Sequence, residues 1–341
     1  MLIVRAPLRI SLAGGGTDLS GYYSRYGGAV LSTSINKYFY VLVTETGAGY
    51  TQVISADLQT FFHASSSVET DYLGKRDLNL PSTIFDHFGY HGEEQIFIAS
   101  EVPPGTGLGS SSAVTVGLIK AISVVRHEEM SKQAIAELAS YIEIEKLGAP
   151  IGKQDQYASA FGGLNLVRFE ADQVTVEPLQ IKRATFQKLE SNLMLFYTGV
   201  SRKANSILSQ QKASTDQDDP QVLASLHAIK QAALDLRHLL ENDDVDSLGA
   251  FLDENWQRKK KLSKGITNET IDAWYKLARQ NGALGGKIAG AGGGGFLLLF
   301  CPLEAQEGLK KTLAQAGLRY IGTRFEQQGV HVVLNSLTET N

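Results

Sequence analysis

A chain of 341 residues, 43% hydrophobic and 20% charged, suits two ordinary domains that each bury a core, and its composition argues against long disorder. Its 32 Lys and Arg against 36 Asp and Glu give a net charge of −4, so nothing in the balance points to a nucleic-acid partner. A single cysteine, Cys301, excludes an internal disulfide framework and a Cys-rich zinc site, and it fits a reducing cytoplasm.

The first residues, Met1-Leu2-Ile3-Val4-Arg5-Ala6-Pro7, break their apolar run at once, so no signal peptide is expected. Leu8, Ile10 and Leu12 then alternate with Arg9, Ser11 and Ala13, which predicts a strand with Arg9 on the face opposite its apolar residues. A first glycine run follows, Gly14-Gly15-Gly16-Thr17-Asp18. Residues 38–45, 51–56 and 95–101 are rich in β-branched and aromatic residues between turn formers and predict further strands. The second glycine cluster, Pro103-Pro104-Gly105-Thr106-Gly107-Leu108-Gly109-Ser110-Ser111-Ser112-Ala113, leads into a helix predicted over 110–126. Helices over 131–146 and 154–161 and strands over 165–169 and 174–179 complete the first half.

The second half reads as helical from 202 to 280, with a polar stretch at 214–220 as an exposed connection. A strand, strand, helix, strand, strand series then covers 285–289, 296–300, 303–316, 319–326 and 331–335. The third glycine run, Gly290-Ala291-Gly292-Gly293-Gly294-Gly295, lies between the first two of those strands. The strands of the first half end near 170–190, which divides the chain into domains at 1–180 and 181–341. The longest apolar runs are strand-length, short of the roughly 20 residues of a membrane helix, and no internal repeat is found.

The second cluster has the chemistry of an anion site. Glycines let the backbone approach a ligand, a helix N-terminus presents unpaired N–H groups, and serine hydroxyls bond phosphate or Mg²⁺. The plainer alternative is a Ser-capped helix after a flexible turn. It is neither a Walker A loop nor a nucleophile elbow, because the G-x-x-x-x-G-K-[ST] and G-x-S-x-G spacings are absent. Gly290, Gly292 and Gly295 satisfy G-x-G-x-x-G, but a strand follows where a dinucleotide fold needs a helix. That run also fits a tight turn between strands.

Glu145 and Asp155 flank a turn and are placed to converge, although alone they read as a solvated helix residue and a cap. Beside a phosphate loop they gain meaning, because Mg²⁺ on phosphates takes a hard carboxylate and phosphoryl acceptance is helped by a placed base. His87 and His91 lack the acidic partner of a metal motif, and Cys301 reads as a small buried hydrophobe. Arg258-Lys259-Lys260-Lys261 reads as a solvated face. Tyr22, Tyr23 and Tyr26 fit either a ligand pocket or packing.

These motifs, in this order, resemble the three motifs of the GHMP kinases: Ala6-Pro7-Leu8-Arg9 with Gly16-Thr17-Asp18, then Pro104 to Ala113, then Lys287 with Gly290 to Gly295. Within that superfamily Arg9-Ile10-Ser11 before Gly14-Gly15-Gly16-Thr17-Asp18 and the Lys153-Gln154-Asp155-Gln156 segment are similar to the D-glycero-D-manno-heptose 7-phosphate kinases. Fucokinase domains share much of this wording.

The resemblance implies an α+β fold of two domains, an N-terminal one of the ribosomal S5 domain 2 type and a ferredoxin-like C-terminal one, with the site between them. It implies ATP and Mg²⁺ as cofactors and a small sugar phosphate as partner, with no nucleic acid or membrane involved; oligomeric state, a homodimer included, stays open. Pro104, Gly105, Gly107, Leu108, Gly109, Ser110, Ser111 and Ser112 then wrap the ATP phosphates, with Ser111 and Glu145 as Mg²⁺ ligands and Glu143 as the alternative to Glu145. Asp155 matches the catalytic aspartate and Arg9 the cation beside it. Gly16, Thr17, Asp18, Lys153, Arg202, Gly292, Gly293 and Gly294 are the expected substrate-binding residues, with Arg202, Lys203 and Lys153 as candidates for a distal phosphate. The implied reaction phosphorylates the anomeric hydroxyl of the heptose on the way to a nucleotide-activated sugar, with fucose- or galactose-type kinases and a non-catalytic sensor as alternatives.

Overall fold

The computed structural model describes residues 1–45, 51–55, 60–64, 79–200, 215, 219–260 and 265–337. Strands β1 (Leu2–Ala13) and β2 (Gly28–Glu45), with the short helix α1 (Ser20–Tyr26) between them, form the spine of the first half. β3 (Thr51–Ser55), β4 (Thr60–Ala64), α2 (Asn79–Phe88) and β5 (Glu94–Ser100) follow. The helices α3 (Ser110–Val125), α4 (Lys132–Ser140) and α5 (Gln154–Phe161) come next, then β6 (Leu164–Phe169) and β7 (Val174–Pro178). The second half contains α6 (Arg183–Asn192), β8 (Leu193–Tyr197), α7 (Pro220–Glu241), α8 (Leu248–Lys259) and α9 (Glu269–Gln280). It ends with β9 (Gly285–Ile288), β10 (Phe296–Phe300), α10 (Leu303–Gln315), β11 (Arg319–Ile321) and β12 (His331–Asn335).

The first sheet runs in the order β12-β1-β2-β5-β3-β4, with β6 and β7 extending from β2. β2 is long because it serves two partners: Gly28 to Thr33 pairs with β6, and Phe39 to Glu45 pairs with β5. Its first part escapes a hydrophobic reading because Ser32, Thr33 and Ser34 are polar yet buried, the Ser34 hydroxyl donating to the Ala158 carbonyl of α5 at 2.8 Å. β1 pairs along almost all of β2, with register shifts at Pro7/Leu8 and Ser11/Ala13. Such shifts bend a strand and re-aim side chains, and these bracket Arg9.

The second sheet is antiparallel in the order β11-β8-β10-β9. Alternation on its strands feeds two cores. Phe296, Leu298 and Phe300 of β10 join the large core of the first half, whereas Leu297 and Leu299 pack with Trp256, Ile271, Tyr275, Leu309 and Leu313 from α8, α9 and α10. The two sheets thus share packed side chains.

Three local expectations change. Helix 131–146 is not uniform: α4 ends at Ser140 and continues as a π-helical turn, Tyr141–Lys146. Of 319–326 only Arg319–Ile321 is strand within the second sheet. The last strand, β12, returns to the first sheet and pairs with β1, drawn there by Glu326 N–H to Ser34 O and Val330 N–H to Ser159 O at 2.9 Å each. Among the described residues no helix is long and apolar enough to cross a membrane.

Candidate active site

A cleft opens where the end of β1, the loop before α3, the start of α5, α8 and the turn between β9 and β10 meet. Arg9 enters it from β1, 4% exposed, while Leu8 and Ile10 point into the core. Its Nε and Nη2 both donate to Asp155 Oδ1, at 2.8 and 2.5 Å, and Nη1 donates to the Gly107 carbonyl at 2.6 Å. The Arg9 main-chain N–H reaches the Leu108 carbonyl at 3.0 Å. One residue therefore ties the glycine loop to the carboxylate at the start of α5.

In that loop Gly105, Gly107 and Gly109 all have positive φ, at 72, 84 and 78°. Gly109 is the N-cap of α3 and has no side chain to accept a hydrogen bond, so the helix is not Ser-capped. Its first-turn N–H groups, with the positive end of the helix dipole, are left for a ligand. Gly105, Gly107, Gly109, Ser110 and Ser111 line the cleft. Three expected members of the set do not: Pro104 is exposed on the outer side, Leu108 is in the core, and Ser112 turns inward.

Ser112 turns toward Glu143. That carboxylate is buried, accepts from Gln156 Nε2, and lies against Ser112 and Thr115 and near Asp155. The Ser112 hydroxyl makes no well-formed hydrogen bond of its own. Burial first, and the Asp155 charge as well, push the Glu143 carboxyl up to about 7 against the pull of its hydrogen-bond donors. Glu145, expected as the metal ligand, is exposed on the same π-turn and does not line the cleft. The extra residue in a π-turn shifts the phase of every side chain after it, which is why spacing to Asp155 misassigns the pair.

The first glycine run lines the cleft through Gly14, Gly15 and Gly16. Asp18, 2% exposed, accepts from Gly16 N at 2.9 Å and from Gln154 N and Nε2 at 3.1 and 3.3 Å. Burial, then the Asp155 charge, raise its pKa. Thr17 does not reach the cleft. It is fully buried, its hydroxyl lying 2.8 Å from the Gly14 carbonyl and 3.1 Å from both the Ala29 carbonyl and the Ala29 N–H, which donates to it. Its role is to close the β1–β2 connection.

The third run also departs from expectation. Gly290 and Ala291 line the cleft, but Gly292 and Gly293 pack on Ile266 and Gly294 on Val200. At Gly290 a Cβ would stand 2.7 Å from Gly107 Cα, and at Gly295 2.2 Å from the Thr106 carbonyl. The run braces the loop before α3 by backbone contact that no side chain permits.

Lys153, at the N-cap of α5, holds its ammonium 5.0 Å from the Tyr23 ring and does not line the cleft. Arg202 and Lys203 lie outside the described residues. The tyrosines pack: Tyr22 shares a 2.8 Å hydrogen bond with His227 Nδ1 of α7, Tyr26 stacks edge-on to that ring, and Tyr23 meets Phe169. Cys301 is buried, its thiol pushed up to about 11 by burial.

Among the cleft residues to which the sequence assigns no role are Gln154, Asn255, Lys259 and Lys287. Lys259 was the least expected, being part of the basic run. On α8 the buried stripe is Leu248, Leu252 and Trp256, and Lys259 continues it three residues on. Its ammonium donates to the Gly290 carbonyl at 2.5 Å, while Arg258 pairs outward with Glu254. Lys287 of β9 is 7% exposed and donates to the Leu12 carbonyl at 2.9 Å.

A carboxylate kept beside a guanidinium at one side of a helix N-terminus is suited to taking a proton from a hydroxyl that attacks a helix-bound phosphate. Two family models match the chain. The GHMP kinases N terminal domain model matches residues 79–163, and the GHMP kinases C terminal model matches residues 236–318. A D-glycero-alpha-D-manno-heptose 7-phosphate kinase of Campylobacter jejuni is 34% identical over 330 residues, covering 96% of this chain and 97% of its own.

The chain belongs to the GHMP kinases.

Members of this family use ATP as phosphate donor, and the two-sheet α+β architecture is theirs. A D-glycero-D-manno-heptose 1-phosphate kinase from Bacteroides thetaiotaomicron superposes with a TM-score of 0.79 at 28% identity, over 99% of this chain and 100% of that one. A sugar kinase structure from Campylobacter jejuni gives 0.78 at 32% identity, over 97% of each chain. Mevalonate kinase, at 20% identity and a TM-score of 0.72, shares the fold.

Proposed function

We propose that this GHMP kinase transfers the γ-phosphoryl group of ATP to the anomeric C1 hydroxyl of D-glycero-D-manno-heptose 7-phosphate, giving the 1,7-bisphosphate. The observation that carries this reading is the full-length relationship to the heptose 7-phosphate kinase of Campylobacter jejuni, joined to a cleft in which Arg9 holds Asp155 2.5 Å away at the α3 N-terminus.

Phosphoryl transfer asks the protein for positioning and charge stabilisation. The N–H groups at the start of α3 face the triphosphate, with Ser110 and Ser111 beside them. Arg9, bonded at once to Gly107 and Asp155, fixes the carboxylate's position relative to the loop. Asp155 accepts the proton of the attacking hydroxyl, help worth about 10²- to 10⁴-fold. Asp18 and the Gly14 to Gly16 backbone offer partners to sugar hydroxyls.

Two hard oxygen groups suit Mg²⁺, the Ser111 hydroxyl at the cleft and the Glu143 carboxylate buried against Ser112 and near Asp155, with phosphates and water completing the shell. Bound there, Mg²⁺ would supply charge neutralisation on the phosphates. Glu143 would hold it in place of Glu145.

The test is ADP release from Mg·ATP with D-glycero-D-manno-heptose 7-phosphate, mannose, fucose, galactose and mevalonate, with ³¹P NMR of the product. A new anomeric phosphate resonance with the heptose phosphate alone is the expected result. Turnover confined to an unphosphorylated sugar would retain the kinase chemistry and end the heptose assignment.

A further inference from the structure

The lining of the cleft carries more positive charge than its own carboxylates answer. Arg9 is neutralised by Asp155. Asp18 accepts from N–H groups of Gly16 and Gln154 and keeps its own charge, which acts on Lys259, so three cations stand against two carboxylates. Among the described residues Lys259 and Lys287 make no ion pair; each gives one N–H to a main-chain carbonyl, Gly290 and Leu12 respectively. An ammonium has three donors, so two remain on each. Partly buried cations short of counter-charge are costly, and a cleft with positive charge in excess favours an anion.

A second observation points the same way. Asn255 lies one turn before Lys259 on the same face of α8 and lines the cleft. Its Nδ2 donates to the Phe251 carbonyl at 2.8 Å, which fixes the amide orientation, and its buried Oδ1 has no partner. An unpartnered acceptor lining the same cleft as two lysines suits a molecule with both a hydroxyl and a phosphate. The nucleotide has a phosphate cradle of its own in the main chain before α3, so the lysines are free for the other substrate.

We propose that Lys259 and Lys287 form the subsite for the acceptor's own phosphate, with Asn255 Oδ1 taking one of its hydroxyls. This rests on the reading of the acceptor as a sugar phosphate. The chemistry shared with the alternative source, the γ-phosphate of ATP, is a phosphate dianion, and the arms of the experiment separate the two. Burial and the neighbouring Arg9 charge hold the Lys259 ammonium down to about 8, opposed by Asp18. Burial first, with the Lys259 and Arg9 charges, also holds Lys287 below its ordinary value. A bound dianion would reverse both trends.

Calorimetry with the full chain, saturated with a non-hydrolysable ATP analogue to fill the nucleotide site, measures binding of inorganic phosphate, of D-glycero-D-manno-heptose 7-phosphate and of the unphosphorylated heptose. The variants are Lys259→Met, Lys287→Met and Lys259→Arg, with Arg258→Met as an exposed control on the same helix. Affinity for inorganic phosphate and for the heptose phosphate should fall at least tenfold in each methionine variant, with the KM for ATP within threefold of wild type. Lys259→Arg should recover most of the loss and Arg258→Met should show none. Unchanged phosphate affinity in Lys259→Met overturns the subsite, and an equal loss of ATP affinity reassigns the lysines to the γ-phosphate. Wild type that binds inorganic phosphate through these lysines yet ignores the heptose phosphate would uphold the anion site and overturn the heptose reading instead.

Discussion

The wall of the cleft built from β1 and the loop before α3 differs from the wall built from α8 and β9 in what it offers an anion. The first offers main-chain N–H groups at a helix N-terminus and a guanidinium already paired with Asp155. The second offers two ammonium groups paired with main-chain carbonyls only, both pulled below their ordinary pKa. Main-chain recognition must be written in glycine and so shows in the sequence, whereas side-chain recognition hides in an ordinary basic helix. The two walls should also fail differently when altered.

The largest effect belongs to the first wall. Asp155→Asn keeps the size of the side chain and one oxygen for Arg9 but removes the base. We expect kcat to fall by about 10²- to 10⁴-fold, with ATP affinity measured by calorimetry close to wild type. A loss below tenfold would mean that positioning alone carries the rate. Next comes the pair on the π-turn. Glu143→Gln should raise the Mg²⁺ concentration for half-maximal rate by about tenfold or more, and Glu145→Gln should leave it within about twofold, as befits an exposed side chain. The reverse ranking in a Mg²⁺ titration would return the role to Glu145.

Glycine itself divides along the same line, between contact with ligand and contact with protein. Gly290→Ala sets a Cβ 2.7 Å from Gly107 Cα at a φ of +68°, and backbone cannot give way there. The cost is about 2 kcal/mol or more, read as a lower midpoint of urea unfolding. Gly15→Ala meets nothing nearer than Ser11 Oγ at 3.4 Å. Its stability should stay within about 0.5 kcal/mol of wild type, and any change should appear in the acceptor KM. Equal destabilisation of the two variants would erase the distinction.

The same division explains what could be read from the residues. The order of strand, glycine loop and helix around Arg9 and Asp155 follows from local periodicity and turn chemistry, and the structure brings those two side chains together. Thr17 could not be placed, because a threonine after a glycine run looks the same whether its hydroxyl meets a sugar or, as here, the Gly14 and Ala29 main chain. Glu143 and Glu145 were interchangeable until the π-turn set their phase. β12 carried a strand pattern but no sign of its partner, since pairing with β1 joins residues more than 320 positions apart. Lys259 was legible in principle. Counting from Leu248, Leu252 and Trp256 places it on the buried stripe, and the weight given to four consecutive basic residues obscured that phase.

The smallest effect sharpens the comparison most. Facing Lys259 are Arg9 from β1, Lys287 from β9 and Asp18 from the first glycine run; burial and Arg9, opposed by Asp18, set its ammonium near pKa 8. A phosphate monoester is largely dianionic above its second pKa of about 6. Between pH 7 and 9 the protonated share of Lys259 in the free protein therefore falls from about nine-tenths to about one-tenth, while the acceptor's charge hardly changes. Binding of the phosphorylated acceptor should weaken across that window by several-fold, steepening toward tenfold per pH unit above 8, with proton uptake on binding. The dissociation constant of the ATP analogue, held by main-chain N–H groups, should stay flat, and Lys259→Arg should flatten the acceptor profile as well. Parallel pH profiles for the two ligands would place both on the same wall.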